Sequence, residues 1–136
     1  MKNKIFIAID TGSQKKAISI ITQSKTKNFK IGYKFGLEFI NSKYGRNFIS
    51  KLKNKIIFAD LKLHDIPNTC ISAIKAIKDL KVNYLTIHVS SGLDALKESK
   101  KVCGNIKLIG VTTLTSLDNK ALKKIGYSKN LKKLVL

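Results

Sequence analysis

The sequence predicts an α/β protein in which parallel strands alternate with helices, on three observations. Short apolar runs begin near residues 5, 29, 56, 84 and 106, so they recur about every 22 to 28 residues, with helical patterns between them. The runs are almost continuously apolar, as in strands that are covered on both faces. Polar residues cluster directly after each run, where the carboxyl ends of parallel strands meet.

Each strand is predicted from a short run rich in β-branched and aromatic residues. The predicted strands cover residues 5–9, 29–35, 56–59, 84–88 and 106–111. Asp10 and Asp60 end the first and third runs, and a cluster of Thr and Ser residues follows the fifth. This change from apolar to polar residues is typical of a strand that leaves a buried sheet.

The helices between the strands are predicted from apolar residues at intervals of three and four. Their markers are, in order, Ala17 with Ile21, residues 45–52, the segment after Pro67, and Leu93 with Leu96. A last helix is predicted from Ser116 onwards. We expect Ser116 to be its N-cap, because a serine hydroxyl can accept a hydrogen bond from the first helical turn.

Two architectures accommodate this alternation, a (β/α)8 or TIM barrel and an open doubly wound sheet. No GxGxxG or GxxxxGK[ST] pattern follows any strand, so the signals of dinucleotide and P-loop sites are missing. A complete barrel takes about 250 residues, whereas this chain has 136 and stops inside a helical pattern. We therefore expect residues 1–136 to be the N-terminal portion of a single TIM barrel domain, truncated after about the fifth strand.

The charge of the chain is strongly positive, with 27 basic and 8 acidic residues and a net charge of +19. Phosphate neutralisation by such charge drives non-specific binding to nucleic acids. Arg46 is the only arginine, however, and no five basic residues are consecutive. Because arginine is the residue that grips phosphate in a bidentate manner, we expect no nucleic-acid partner and a solvated lysine-rich surface.

Other features exclude further classes of protein. The apolar runs are far shorter than the roughly 20 residues that span a membrane, and the short run after Lys2 and Lys4 does not resemble a signal peptide. Cys70 and Cys103 have no metal-ligand spacing. We therefore expect a cytoplasmic protein with reduced thiols and no membrane partner.

The segment DLKLHDIPNT at residues 60–69 is the one most suited to chemistry. In an extended segment Asp60 and Lys62 point to the same side, because side chains alternate with a period of two. Asp65 follows three residues later. A carboxylate–ammonium–carboxylate array suits proton transfer to a developing carbanion, with the lysine as the acid. The pattern is equally typical of a weak surface ion pair at a strand end.

This segment resembles the signature of the orotidine 5′-phosphate decarboxylase family, DxKxxDI followed by PxT. Further segments resemble that family in the same order: IAID at 7–10, KFGLEF at 34–39, TIHVSSG at 86–92 and GVTTLTSLD at 110–118. The resemblance covers nearly the whole chain. It implies a decarboxylase that converts orotidine 5′-phosphate to UMP and carbon dioxide without a metal or other cofactor.

The resemblance also implies catalytic roles within residues 60–69. Lys62 would donate a proton to C6 of the pyrimidine, and Asp60 would press on the departing carboxylate. Asp65 would complete the array by reaching the site of the partner subunit in a homodimer. Ile66 and Thr69 would accompany Asp65 across that interface to the substrate.

Substrate-binding residues elsewhere follow from the same resemblance. Asp10 would bind the ribose hydroxyls, and Thr115 would lie near the pyrimidine ring. Both Lys34 and Lys30 precede a glycine by two residues and lie on one side of the second strand. Lys34 is the predicted substrate-site lysine, because its match to KxGLEF is longer.

Two alternatives stay open beside the decarboxylase. Magnesium-dependent hexulose-phosphate synthases share the barrel and a DxKxxD motif, although the IPNT that follows here favours the decarboxylase. A non-catalytic, lysine-rich binding module is the other alternative. The family binds substrate phosphate through a later loop containing glycine and arginine, so we expect residues 1–136 alone to be inactive or weakly active.

Overall fold

Five strands form one parallel sheet in a computed structural model that describes residues 3–135. The strands follow one another across the sheet in chain order. They are β1 (Lys4–Ile9), β2 (Lys30–Gly36), β3 (Ile56–Leu63), β4 (Tyr84–His88) and β5 (Lys107–Val111). Each strand prediction is confirmed in place, and β3 continues four residues beyond its predicted end, so that it includes Lys62.

Helices connect the strands as the alternation predicts. They are α1 (Gln14–Gln23), α2 (Leu37–Asn41), α3 (Gly45–Ser50), α4 (Pro67–Ala76), α5 (Leu93–Val102), α6 (Asn119–Lys124) and α7 (Leu131–Val135). Short 3-10 turns at Lys78–Leu80 and Val89–Ser91 precede β4 and α5. Within residues 3–135, no helix is both long and apolar enough to cross a membrane.

The core lies between one face of the sheet and the helices. Alternate strand residues point into it, because side chains in a strand alternate between the two faces. Buried members from the strands include Ile9, Tyr33, Phe35, Ala59 and Leu85, and buried members from the helices include Ala17, Ile21, Phe39, Ile49 and Ile74. A doubly wound sheet reverses its strand order and has helices on both faces. The consecutive order and the one-sided core confirm the barrel architecture instead.

The opposite face is the inner face of the barrel wall, and aromatic rings occupy its amino-terminal half. The ring of Phe6 lies 5.3 Å from that of Phe58 and 5.1 Å from that of Tyr84, edge to face in both cases. Gly32 is paired with Phe6 in the β1–β2 register, and a Cβ added at Gly32 would lie 2.6 Å from the Phe6 ring. A glycine at this position therefore makes room for the aromatic layer below the polar groups.

Two details of the helix predictions are wrong. The N-cap of α6 is Asp118, whose carboxylate accepts a hydrogen bond from the backbone amide of Ala121, and not Ser116. The short helix α2 was not predicted, because five residues directly after Gly36 are too few to show a helical period.

Candidate active site

Charged side chains from β2 and β3 meet on the inner face of the sheet, near the carboxyl ends of the strands. The side-chain nitrogens of Lys34 and Lys62 lie 3.0 Å and 2.9 Å from the same oxygen, Oδ2 of Asp60. Asp60 is buried, whereas the two lysine side chains are partly exposed. The structure therefore brings together three of the predicted site residues in one partly buried cluster.

An irregularity in β3 shapes this cluster. Ala59 pairs with Leu85 and Leu63 pairs with Ile87, so that four steps along β3 face two steps along β4. Lys62 lies inside this bulge with a φ of 48°, in the left-handed region that a lysine rarely adopts. The contact of Lys62 with Asp60 was predicted from regular alternation. It exists, but it is formed by a bulged strand.

The ionisation of Asp60 is set by opposing effects. Burial disfavours its charged form, but hydrogen bonds from Lys62, Lys34 and Thr86 outweigh burial and hold the pKa of Asp60 below its usual value. The carboxylate is therefore negative at neutral pH. Both of its oxygens are occupied, Oδ2 by the two lysines and Oδ1 by the Thr86 hydroxyl.

Thr86 is a member of the site that the sequence patterns did not single out. Its hydroxyl is buried, donates to Oδ1 of Asp60 at 3.0 Å, and accepts from the backbone amide of Lys62 at 2.8 Å. Thr86 lies on the inner face of β4, 24 residues after Lys62 in the chain. Only the pairing of β3 with β4 brings it to this position.

The two candidate lysines of β2 lie at opposite ends of the strand. Lys34 contacts Asp60 near the carboxyl end. Lys30 begins the strand at its amino end, where it is exposed and pairs in register with Lys4 of β1. The two lysines lie on the same side of β2 but have different surroundings, and only Lys34 contacts Asp60.

Asp65, Ile66 and Thr69 lie at the same edge of the sheet but outside the cluster. Asp65 accepts a hydrogen bond from the amide of Ile66 at 2.7 Å, and no ion pair involves it among residues 3–135. Ile66 is 66% exposed although it is apolar. Thr69 is exposed in the first turn of α4, which begins at Pro67. These residues face solvent in this chain.

Asp10 and Thr115 also lie at the carboxyl ends of strands. Asp10 directly follows β1, and Thr115 lies in the loop after β5. Both are exposed, and neither contacts the charged cluster within the chain segment that the structure describes. The structure thus places both residues at the carboxyl edge of the sheet, Asp10 at its first strand and Thr115 at its last.

A pair of stacked histidines near Lys62 lines a small cavity. The rings of His64 and His88 are 4.9 Å apart and nearly parallel, and His64 contacts the Ser90 hydroxyl at 3.3 Å. Burial, together with the nearby His64 and Lys62, lowers the pKa of His88. The cavity, of about 170 Å³, is lined by these two histidines, Ser90 and residues of the β5–α6 loop and α6.

Metal ligation has no obvious place in this arrangement. Among residues 3–135, no three or more His, Cys, Asp or Glu side chains lie close enough together to hold a metal ion. The two ammonium groups on Asp60 occupy the oxygen that a cation would need and repel such a cation.

Comparison with known proteins gives a consistent result. Residues 3–136 match the family described as Orotidine 5'-phosphate decarboxylase / HUMPS. A protein named orotidine 5'-phosphate decarboxylase from Wolbachia sp. subsp. Brugia malayi is 39% identical over 139 residues, which is 98% of this chain and 60% of that protein. A protein of the same name from Sphingopyxis alaskensis is 42% identical over 131 residues, which is 94% of this chain and 57% of that protein.

Solved structures agree with the sequences. The orotidine 5'-phosphate decarboxylase of Lactobacillus acidophilus is 27% identical with a TM-score of 0.86, over 99% of this chain and 64% of that one. The Methanocaldococcus jannaschii protein, described as complexed with the inhibitor BMP, is 28% identical with a TM-score of 0.69, over 82% of this chain and 53% of that one. The chain thus spans 57% to 60% of the two curated relatives. On sequence and fold together, it belongs to the orotidine 5'-phosphate decarboxylase / HUMPS family.

Proposed function

We propose that the protein containing this chain is an orotidine 5′-phosphate decarboxylase, which forms UMP and carbon dioxide. The observation that carries the proposal is the ammonium group of Lys62 held 2.9 Å from the buried carboxylate of Asp60, on the inner face of the barrel wall. Membership of the family supports decarboxylase activity for the protein that contains this chain. Because the relatives are longer, the proposal concerns the whole protein.

Lys62 has the properties of the proton donor in this reaction. Loss of carbon dioxide breaks the bond from C6 of the pyrimidine and leaves its electron pair on C6. The Lys62 ammonium donates a proton to that carbon, forms the C6–H bond, and is reprotonated by water. The Asp60 carboxylate accepts a hydrogen bond from this ammonium group at 2.9 Å and so holds it in place.

Asp60 acts on the group that leaves. Its pKa is lowered mainly by the two lysines and Thr86 acting against burial, so the carboxylate is negative when substrate binds. A second carboxylate beside it, that of the substrate, is repelled, and the repulsion ends when neutral carbon dioxide departs. Lys34 offsets part of this charge, and its partly exposed side chain can contact the substrate.

The remaining substrate contacts are proposed at the same edge of the sheet. Asp10 binds the ribose hydroxyls as a hydrogen-bond acceptor, and Thr115 lies near the pyrimidine. Arg46 is the only arginine, and it donates to Asp79 on the helical side of the sheet. No residue of this chain is therefore assigned to the phosphate.

A homodimer with shared active sites is part of the proposal. Asp65 lacks an ion pair among the described residues, and the neighbouring apolar side chains of Ile66 and Leu93 are 66% and 64% exposed. In a dimer, Asp65, Ile66 and Thr69 enter the site of the partner. Sedimentation velocity tests this in a chimera that joins residues 1–136 to the C-terminal remainder of the Wolbachia relative. The chimera should be a dimer, and its Ile66→Asp variant should be a monomer. A monomeric chimera without that substitution contradicts the shared site.

The buried free thiols of Cys70 and Cys103 support a reducing, cytoplasmic location. Measuring thiol content in protein recovered from cells tests this point. Two reduced thiols per chain are expected.

The activity is tested with a chimera, called here the completed enzyme, in which residues 1–136 are joined to the C-terminal remainder of the Wolbachia relative. We expect one UMP and one carbon dioxide per orotidine 5′-phosphate consumed, at the same rate with and without EDTA. Loss of turnover with EDTA contradicts a metal-free decarboxylase. A folded chimera without turnover supports the non-catalytic binding module.

A further inference from the structure

The bulge in β3 creates a structural problem next to the catalytic lysine. Between Ala59 and Leu63 the regular pairing with β4 is interrupted, so the amide of Lys62 has no strand partner. An unpaired amide at a partly buried position is unfavourable. Lys62 also holds a left-handed backbone with a φ of 48°, which costs free energy in a residue other than glycine.

One hydroxyl compensates for both features. Thr86 Oγ1 accepts from the Lys62 amide at 2.8 Å and donates to Asp60 Oδ1 at 3.0 Å. Thr86 is 4% exposed, so water has little access to replace it. The hydroxyl thereby links the Lys62 backbone to the Asp60 carboxylate, which accepts a hydrogen bond from the Lys62 ammonium group. It binds Oδ1 of Asp60, whereas the two lysines bind Oδ2.

We propose that Thr86 is a positioning residue, whose hydroxyl holds the Lys62 backbone in its left-handed conformation and directs Oδ2 of Asp60 toward both lysines. Thr86 does not contact the substrate in this account. It acts through Asp60 and Lys62. Its catalytic meaning rests on the proposed function, whereas its placement of the two groups is a property of this chain and is measured without substrate.

The choice of substitutions separates a hydrogen-bonding role from a packing role. Thr86→Val keeps the shape and the β-branched side chain but removes the hydroxyl. Thr86→Ser keeps the hydroxyl but loses the methyl group. Thr86→Ala removes both groups. If Thr86→Val does not fold, Thr86→Ala takes its place as the variant without a hydroxyl and is compared with Thr86→Ser.

The first measurement is a carbon-13 NMR titration of the Asp60 carboxyl group in the 136-residue chain. The charged groups facing Asp60 are Lys34 and Lys62. His88 and Tyr84 are the other titratable groups on this face of β4, and all four residues are kept. We expect the pKa of Asp60 to rise in Thr86→Val and Thr86→Ala, because a hydrogen bond to the carboxylate is lost. In Thr86→Ser it should stay at the wild-type value.

The second measurement is amide hydrogen exchange at Lys62 in the same variants. Exchange should become about tenfold faster in Thr86→Val, the scale of one lost hydrogen bond, and return to the wild-type rate in Thr86→Ser. If Thr86→Val leaves both the Asp60 pKa and the Lys62 exchange rate unchanged while Thr86→Ser alters them, Thr86 only fills space and the proposal is wrong. A failure of the completed enzyme to turn over would leave these readings unchanged, so the two failures are distinguishable.

Discussion

The side-chain nitrogen of Lys62 lies 2.9 Å from Oδ2 of Asp60, two residues earlier in the same strand. A straight strand brings residues i and i+2 to one face, but their side chains extend in parallel. Here the bulge and the left-handed backbone at Lys62 accompany a direct contact. The arrangement connects an unusual backbone to an ammonium group beside a buried carboxylate.

The two lysines of β2 should have different effects on Asp60. Lys34→Ala removes one of the two ammonium groups on Oδ2, so the pKa of Asp60 should rise. Lys30→Ala is the matched control, because it removes the same charge from the far end of the strand. Carbon-13 NMR titration of the chain measures both. Equal effects of the two substitutions would show that general surface charge, and not the ion pair, controls Asp60.

The same titrations have a consequence for stability. A carboxyl group whose pKa is lower in the folded state stabilises the fold above its ordinary value of 3.8, and this contribution is lost as the pH falls toward the folded-state pKa. Lys34→Ala should therefore weaken the acid dependence of unfolding in that range.

The aromatic layer below the site should not tolerate a side chain at Gly32. Gly32→Ala places a Cβ 2.6 Å from the Phe6 ring and 3.2 Å from Ile56, so we expect a loss of about 1–3 kcal/mol of unfolding free energy. Gly36→Ala, in the same strand, meets nothing within 4 Å and should have a small effect. Urea unfolding of both variants gives the comparison. An unchanged Gly32→Ala variant would mean that the rings move aside without cost.

The N-cap of α6 can be tested against the residue that the sequence favoured. Asp118→Ala removes the carboxylate that accepts from the Ala121 amide, and should cost about 1 kcal/mol. Ser116→Ala serves as the control, since Ser116 is not at the cap. Urea unfolding and exchange of the Ala121 amide report the result. A larger loss in Ser116→Ala would restore the sequence-based assignment.

His88 should make the chain less stable in mild acid. Burial, with His64 and Lys62 nearby, lowers its pKa below the ordinary 6.5. As the pH falls through 6.5 toward the folded-state value, the unfolded chain binds a proton that the folded chain does not, so stability falls. His88→Gln should reduce the dependence of unfolding free energy on pH. At pH 8, where the histidine is neutral in both states, the difference between the two proteins gives the loss of packing. The urea midpoint measured between pH 8 and 5 gives both, and an equal slope in the two proteins would contradict the assignment.

Sequence patterns predict the strands because the runs are short, almost continuously apolar and regularly spaced. They locate Lys62 and Asp60 because two residues in one strand share a face. The same reasoning chose Ser116 wrongly, since Asp118 is also a residue type that caps helices and both precede the apolar positions.

The features that sequence reasoning missed depend on neighbouring strands. A left-handed backbone is usually signalled by glycine, whereas this position holds Lys62. The local sequence therefore gives no sign of the bulge. Thr86 resembles any β-branched strand residue until β4 pairs with β3 and brings its hydroxyl to Asp60. The sequence favoured Lys34 over Lys30 only through a longer motif match. The pairing of β2 with β3 adds a physical difference, because it brings Lys34 into contact with Asp60.

The most direct test of the account is the rate at which the completed enzyme releases carbon dioxide from orotidine 5′-phosphate, with Lys62 and with Lys62→Ala. We expect the substitution to reduce the rate by at least about a hundredfold, the scale of a lost general acid, while Lys30→Ala keeps the parent rate. Circular dichroism should show that both variants are folded. A Lys62→Ala variant that releases carbon dioxide at the parent rate would contradict the central claim that Lys62 is the proton donor.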